Sequence, residues 1–97
     1  MGNKYRIVIA EDAVRDLEKI IEYINIHNSI AAKRLKVEII EKFDGLLEYP
    51  FRYREGIVDN TREMLTAKNY VTIYSVENEI ITILRVLHSA QRWPFKV

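Results

Sequence analysis

Among the basic or proton-transferring side chains in the C-terminal part of the chain, four stand out as candidates for chemistry: Arg62, Arg85, His88 and Arg92. A guanidinium holds an anion through charge-assisted, often bidentate hydrogen bonds, and an imidazole exchanges its proton near neutral pH. The run Ile80–His88 is almost continuously aliphatic or β-branched, the pattern of a strand buried on both faces. With a side-chain period of two, Ile80, Thr82, Leu84, Val86 and His88 share one face, and Ile81, Ile83, Arg85 and Leu87 share the other. Arg85 thus interrupts an apolar row. Burying it unpaired costs several kcal/mol, so it reaches an acid, snorkels to solvent, or is covered by the acidic group of a partner. His88 closes the strand, where it is either satisfied by backbone or available to an acidic partner or as a general acid. Upstream, Tyr49, Arg52, Tyr53 and Arg54 interleave aromatic and basic groups. That pairing suits stacking and phosphate contact, and equally a loop pinned by its tyrosines.

Most other chemistries lack their residues. With no cysteine, the chain has no disulfide, thiolate metal site or thiol nucleophile. There is no glycine-rich phosphate loop and no serine in a nucleophile elbow. His27 and His88 have no metal-ligand spacing with each other or with nearby carboxylates, so neither a metal nor a cofactor is expected. His27 reads as an exposed turn residue, and the carboxylates as the solvated side of amphipathic helices.

These candidates need elements to place them. Tyr5–Ile9 reads as a short strand. Ala13, Leu17, Ile20, Ile21 and Ile24 then draw one apolar stripe along a helix, with Asp12 expected as its N-cap and Glu11 and Asp16 favouring the positive end of its dipole. His27-Asn28-Ser29 breaks the pattern, and Ser29 is expected to cap a second helix from Ile30 to Glu48, with Ala32, Leu35, Ile39, Phe43, Leu46 and Leu47 on its apolar side. The short join makes an antiparallel helix hairpin. Pro50 ends it. Phe51–Asn60 reads as irregular. Three strands follow: Arg62–Thr66, Tyr70–Val76 and Ile80–His88, the last two joined through Glu77-Asn78-Glu79 as a tight hairpin. The fold class is therefore α+β and two-layered: an N-terminal strand at the sheet edge, a helix hairpin over one face, and a three-stranded antiparallel meander in the order β-α-α-β-β-β. The other sheet face meets solvent or a partner.

Length and composition agree. The chain has 97 residues, 48% hydrophobic and 30% charged, enough for one modest core and so for a single domain spanning residues 1–97. No apolar run is long enough to span a bilayer, and Met1–Arg6 lacks a signal-peptide pattern, so a cytoplasmic location is expected. Residues 1–60 carry 10 basic against 11 acidic side chains, and residues 61–97 carry 5 against 3. A net charge of +1 is too mild for a general nucleic-acid binder, and any basic site belongs in the last third.

The ordered set Tyr49-Pro50, Tyr53-Arg54, Gly56, Arg62, then Asn69-Tyr70-Val71, Ile73-Tyr74 and Val76, then Ile83-Leu84-Arg85-Val86-Leu87-His88 and Ala90-Gln91-Arg92-Trp93 resembles the RelE/ParE toxin superfamily of bacterial type II toxin–antitoxin modules. The resemblance spans residues 4 to 94. It implies growth arrest by the free toxin and tight binding by a small protein antitoxin. It also implies one of two mechanisms: ribosome-dependent cleavage of mRNA in RelE-like members, or inhibition of DNA gyrase in ParE-like members.

Message cleavage needs an activated 2′-hydroxyl, a stabilised phosphorane-like charge and a protonated leaving oxygen, hence several convergent cations. By the resemblance, Arg62 stands where the first basic residue of that set lies. Met64 and Val71 stand where two others are expected, and Arg92 is the substitute near the tail. Those replacements, together with His88 in the Val-Leu-His ending, favour the ParE-like branch and a non-catalytic gyrase inhibitor. The alternative is an mRNA interferase with a rearranged catalytic set of Arg62, Arg85, His88 and Arg92. A further alternative is a non-toxic partner-binding domain. In the binding reading, Arg85, His88, Arg92 and Trp93 are the residues expected to touch a protein partner.

Overall fold

A computed structural model describes residues 4–91 and Trp93. The element order is β1 (Arg6–Ile9), α1 (Glu11–His27), α2 (Ser29–Gly45), β2 (Arg54–Glu55), β3 (Arg62–Ala67), β4 (Tyr70–Glu77) and β5 (Ile80–His88). One five-stranded mixed sheet runs β1-β5-β4-β3-β2. The expected α+β arrangement is present, with the N-terminal strand at the sheet edge as expected and one strand added. β1 lies parallel to β5 at one edge, in register Arg6↔Ile80 to Ile9↔Ile83. The segment expected to be irregular contributes β2, two residues paired antiparallel to β3 at the other edge.

The helix starts differ from expectation by local hydrogen bonding. The chain passes directly from β1 into α1: Ala10 donates its N–H to Ile83 O at 2.9 Å and accepts from Val14 N. Ala10 is the N-cap residue, and no side chain caps this end. Asp12 is therefore not the cap; its carboxylate instead takes Arg15 Nη2 at 2.9 Å. At α2 the cap is Asn28 rather than Ser29, because the Asn28 Oδ1 accepts from Ala31 N at 3.0 Å. α2 ends at Gly45, and Leu46–Glu48 form a turn rather than a last helical stretch.

The hairpin covers one face of the sheet. Ala13 of α1, Ile39 and Phe43 of α2, and Leu46 just beyond it pack with Met64, Ala67, Tyr74, Ile81, Ile83 and Val86 in the core. At the hairpin's far end Tyr23, Ile26 and Ile30 stay exposed.

Strict alternation fails in β5. Ile83 pairs with Tyr74, whereas Arg85 pairs with Ile73, so Leu84 is an extra residue, a β-bulge. The bulge moves the helix-facing row from Ile81 and Ile83 to Val86 and His88. The expected row Ile81, Ile83, Arg85, Leu87 is thereby split: Arg85 and Leu87 share the register of Ile73 and Val71, although the long Arg85 side chain still reaches Asp16 of α1. A second irregularity in β3, between Leu65 and Ala67, leaves Thr66 as the extra residue. Its hydroxyl bonds that of Thr72 inside the protein.

No helix among the described residues covers the second sheet face, yet Ile73 and Leu87 there are 1% and 3% exposed. Ile57 from the β2 side and Trp93 from the tail close over them, lining a cavity of about 140 Å³ together with Arg54, Glu63 and His88. The open face is thus partly covered by the chain itself. No described helix is long and apolar enough to cross a membrane.

Candidate functional site

Arg62 opens β3 beside Tyr74 of β4 and Glu55 of β2. Its Nη1 donates to Tyr53 O at 2.7 Å and to Phe51 O at 3.2 Å, and its guanidinium lies 5.1 Å from the Phe51 ring centroid. The loop after Pro50 has few backbone partners of its own, and Arg62 supplies donors for two of its carbonyls. Tyr74 holds the same loop from below: its hydroxyl donates to Pro50 O at 2.7 Å. Burial pushes the Tyr74 phenol up to about 12, against the opposing pull of the Arg62 charge. The tyrosines and arginines of Tyr49–Arg54 also meet locally, with Arg52 over the Tyr49 ring at 5.9 Å and Arg54 paired to Glu63 at 2.8 Å.

Met64, one of the two apolar replacements, is fully buried in the core beneath the hairpin. A cation at that position would be sealed from any ligand. Val71 pairs with Leu65 on the opposite face, where it lines an open groove with Arg52, Tyr53, Arg54, Glu63 and Leu65.

Arg85 reaches an acid, the first of the outcomes open to it. Its Nε and Nη2 donate to the two carboxylate oxygens of Asp16 on α1 at 2.7 and 2.9 Å. Asp16 Oδ2 also accepts from Val86 N at 3.0 Å. This backbone N–H lies just past the bulge, where β1 has ended and no strand can receive it. One carboxylate therefore satisfies both the interrupted ladder and the strand's charge. The bond to Asp16 holds the Arg85 guanidinium above its ordinary pKa. The guanidinium also lies over the Trp93 ring, with Arg85 Cζ 6.0 Å from the ring centroid.

His88 is exposed at the end of β5, edge-on to Tyr70 at 5.4 Å. Its Nδ1 accepts from Ala90 N at 3.0 Å, and its own N–H donates to Gln91 Oε1 at 2.8 Å. The histidine thus organises the first turn of the tail. His27 is exposed at the end of α1, against Tyr23. Arg92 lies outside the described residues. No cluster of three or more potential metal-ligating side chains occurs among the described residues.

The three described candidates therefore occupy different places. Arg62 and Arg85 stand on strands two apart in the sheet, roughly 10 Å, and in registers that face opposite sides. His88 falls in the helix-facing register, opposite Tyr70. Asp16 is the participant that sequence reasoning assigned only to the helix dipole. Its signal was its position: it lies on the same helical stripe as Ala13, Leu17 and Ile20, a carboxylate where the pattern calls for an apolar side chain.

Residues 7–93 match the family of ParE toxins of type II toxin–antitoxin systems, parDE. The chain belongs to this family. Among relatives of this ParE-family toxin, a protein named as toxin Y4kP from Sinorhizobium fredii is 36% identical over 83 residues, covering 84% of this chain and 85% of that one. Toxin RelE2 from Caulobacter vibrioides is 33% identical over 79 residues, covering 81% and 89%. The fold matches a chain of the chromosomal ParDE system from P. aeruginosa with a TM-score of 0.78 at 16% identity, covering 90% of this chain and 98% of that one. It matches a chain of the archaeal RelE-RelB complex from Pyrococcus horikoshii with a TM-score of 0.63 at 20% identity, covering 92% and 99%. The protein is a toxin of the ParE/RelE superfamily.

Proposed function

We propose that this ParE-family toxin arrests growth by binding and inhibiting DNA gyrase in the cytoplasm, and that a cognate protein antitoxin neutralises it. One observation carries the binding reading: the described cations that phosphoryl chemistry would recruit are already engaged within the protein. Arg62 is bound to the Phe51 and Tyr53 carbonyls and Arg85 to Asp16. Stabilising a developing dianion needs preorganised donors aimed at one point, and loss of a single donor typically costs ~10²–10³ in rate. An antitoxin partner is supported by the two structural neighbours, which come from a ParDE system and a RelE-RelB complex.

The likeness to a toxin named RelE2 favours a second reading. In it the protein cleaves mRNA on the ribosome, with Arg62, Arg85, His88 and Arg92 as the catalytic set.

Two assays with the purified toxin separate these readings. Supercoiling by purified gyrase should fall with accumulation of cleavage complexes, while transcripts in a translating extract stay intact. Untouched gyrase at several-fold excess of toxin removes the first reading. Codon-phased, ribosome-dependent cuts that vanish in Arg62→Ala or His88→Ala would establish the second.

A further inference from the structure

α2 turns one side into the core and leaves an apolar line on the other. Ala32, Ile39 and Phe43 are its buried side. At about 100° per residue, Ile30 and Val37 stand seven apart on the opposite side, where they are 63% and 56% exposed. Ile40 adjoins them and is also exposed. Val37 forms a shallow groove of about 370 Å³ with Lys33, Arg34, Glu38 and Glu41. The groove between the two helices is a different surface, lined from α2 by Lys36, Ile39 and Ile40.

Charge divides this face at Val37. Lys33 and Arg34 precede it, Glu41 and Asp44 follow it, and all four are exposed. By helical spacing Arg34 and Glu41 lie on one flank of the Ile30–Val37 line, and Lys33 and Asp44 on the other. The order runs against the helix's own dipole, which favours acids at the start and bases at the end: the first turn of α2 holds no acid, and Asp44 stands next to its last residue, Gly45. Among the described residues the ion pairs belong to Arg15, Arg54 and Arg85, so none of these four charges is paired within the described chain. A half-turn about an axis at Val37 lays the face on itself in the opposite direction. Arg34 then meets Glu41, Lys33 meets Asp44, and Val37 meets Val37, with both ion pairs repeated by symmetry.

We propose that the exposed face of α2 is a contact between two copies of this chain, which pack their α2 helices antiparallel about Val37. The occupant is a second copy because the surface complements itself: its basic half fits its own acidic half once the direction is reversed. A parallel pairing would set Arg34 against Arg34 and Glu41 against Glu41, so charge selects the antiparallel one. Val37 at the centre, with Ile30 and Ile40 around it, supplies the apolar contact. One helix pair buries less than the ~1,200 Å² of a standard interface, so the dimer is weak and its strength depends on salt. The inference goes beyond the gyrase and antitoxin readings and rests on neither.

The test is sedimentation equilibrium of the full-length toxin from about 10 μM to about 1 mM. The mass should climb from one chain toward two across this range, and less so as salt rises. Arg34→Glu and Glu41→Arg should each weaken association by at least about tenfold, and the double variant should restore it to within about threefold of the parent. Residues seven apart on one helix are roughly 10 Å apart along its axis, so rescue by the double variant arises between copies and not within one. Circular dichroism of each variant reports its fold, and rescue itself excludes a simple folding defect. A one-chain mass at the highest concentration gives the face to a different partner and overturns the proposal. So does association that ignores the single substitutions, or a double variant as weak as the singles.

Discussion

Removing the Asp16 carboxylate tests the central structural assignment, that Arg85 is a brace rather than a ligand-binding group. In Asp16→Ala three hydrogen bonds disappear: two from the guanidinium, at 2.7 and 2.9 Å, and one from Val86 N at 3.0 Å. The side chains of Arg85 and Asp16 are 23% and 14% exposed, so water recovers only part of the loss. Deleting one partner of a fully buried pair costs ~3–5 kcal/mol. Screening at this partly open site lowers that, and the orphaned Val86 N–H adds to it, for about 2–3 kcal/mol in all. In a domain of this size that shifts the melting temperature by roughly 8–24 °C. Arg85→Met should cost less, because its loss leaves Asp16 still bound to Val86 N and able to turn toward solvent. The double variant should show a coupling of about 1–2 kcal/mol. Urea unfolding of the four proteins, followed by circular dichroism and by the fluorescence of the single tryptophan, measures all these terms. A change below ~0.5 kcal/mol in Asp16→Ala, within the range of an ordinary surface substitution, refutes the brace. So does an Arg85→Met protein of unchanged stability that has lost its toxicity.

Other substitutions probe other parts of the fold. The Tyr74 phenol is pushed up to about 12 from an unfolded value of 10.0. The unfolded chain therefore loses its proton first, and stability should fall as pH rises from 10 toward 12, by about 2 kcal/mol. Tyr74→Phe should lose about 1 kcal/mol at neutral pH, with the Pro50 carbonyl left bare, and should lack this component of the alkaline decline; an identical decline in both proteins would contradict the assignment. Met64→Lys, which restores a charge where mRNA-cleaving relatives are expected to carry one, should destabilise the fold by several kcal/mol and gain no ribosome-dependent cleavage, as read by unfolding and by a translating extract. Asn78 and Glu79 form the β4–β5 turn with φ of 49° and 66°, a left-handed pair that favours glycine at the second position. Glu79→Gly should raise stability by about 0.5–1 kcal/mol, with part of the strain relief offset by the looser unfolded chain; a lower midpoint in urea would count against it.

Much of the architecture was legible in the sequence because it is written in local periodicity. The stripe Ala13–Ile24, the stripe from Ala32 to Phe43, the stop at Pro50 and the Asn78-Glu79 turn each follow from neighbours a few residues apart. So does the conflict at Arg85, a charge in a run of aliphatic side chains that called for an acid, solvent or a partner. Which acid it takes is different: Asp16 lies 69 positions away, and only the packing of α1 against the end of β5 brings the two together. The same holds for the bulge at Leu84, since strict alternation is the only register a sequence announces, and the extra residue exists because β4 and β5 must both keep their apolar rows against one hairpin. The two-residue β2 was invisible for a related reason: Arg54 and Glu55 have little strand propensity, and their pairing comes from β3 and from Arg62 holding the loop carbonyls. Residue types and spacing thus determined the helices, the longer strands and the α+β class, and the resemblance pointed to the toxin family. Tertiary structure decided what each charged group touches, because a salt bridge or a ladder bond depends on distances in space that no local pattern carries.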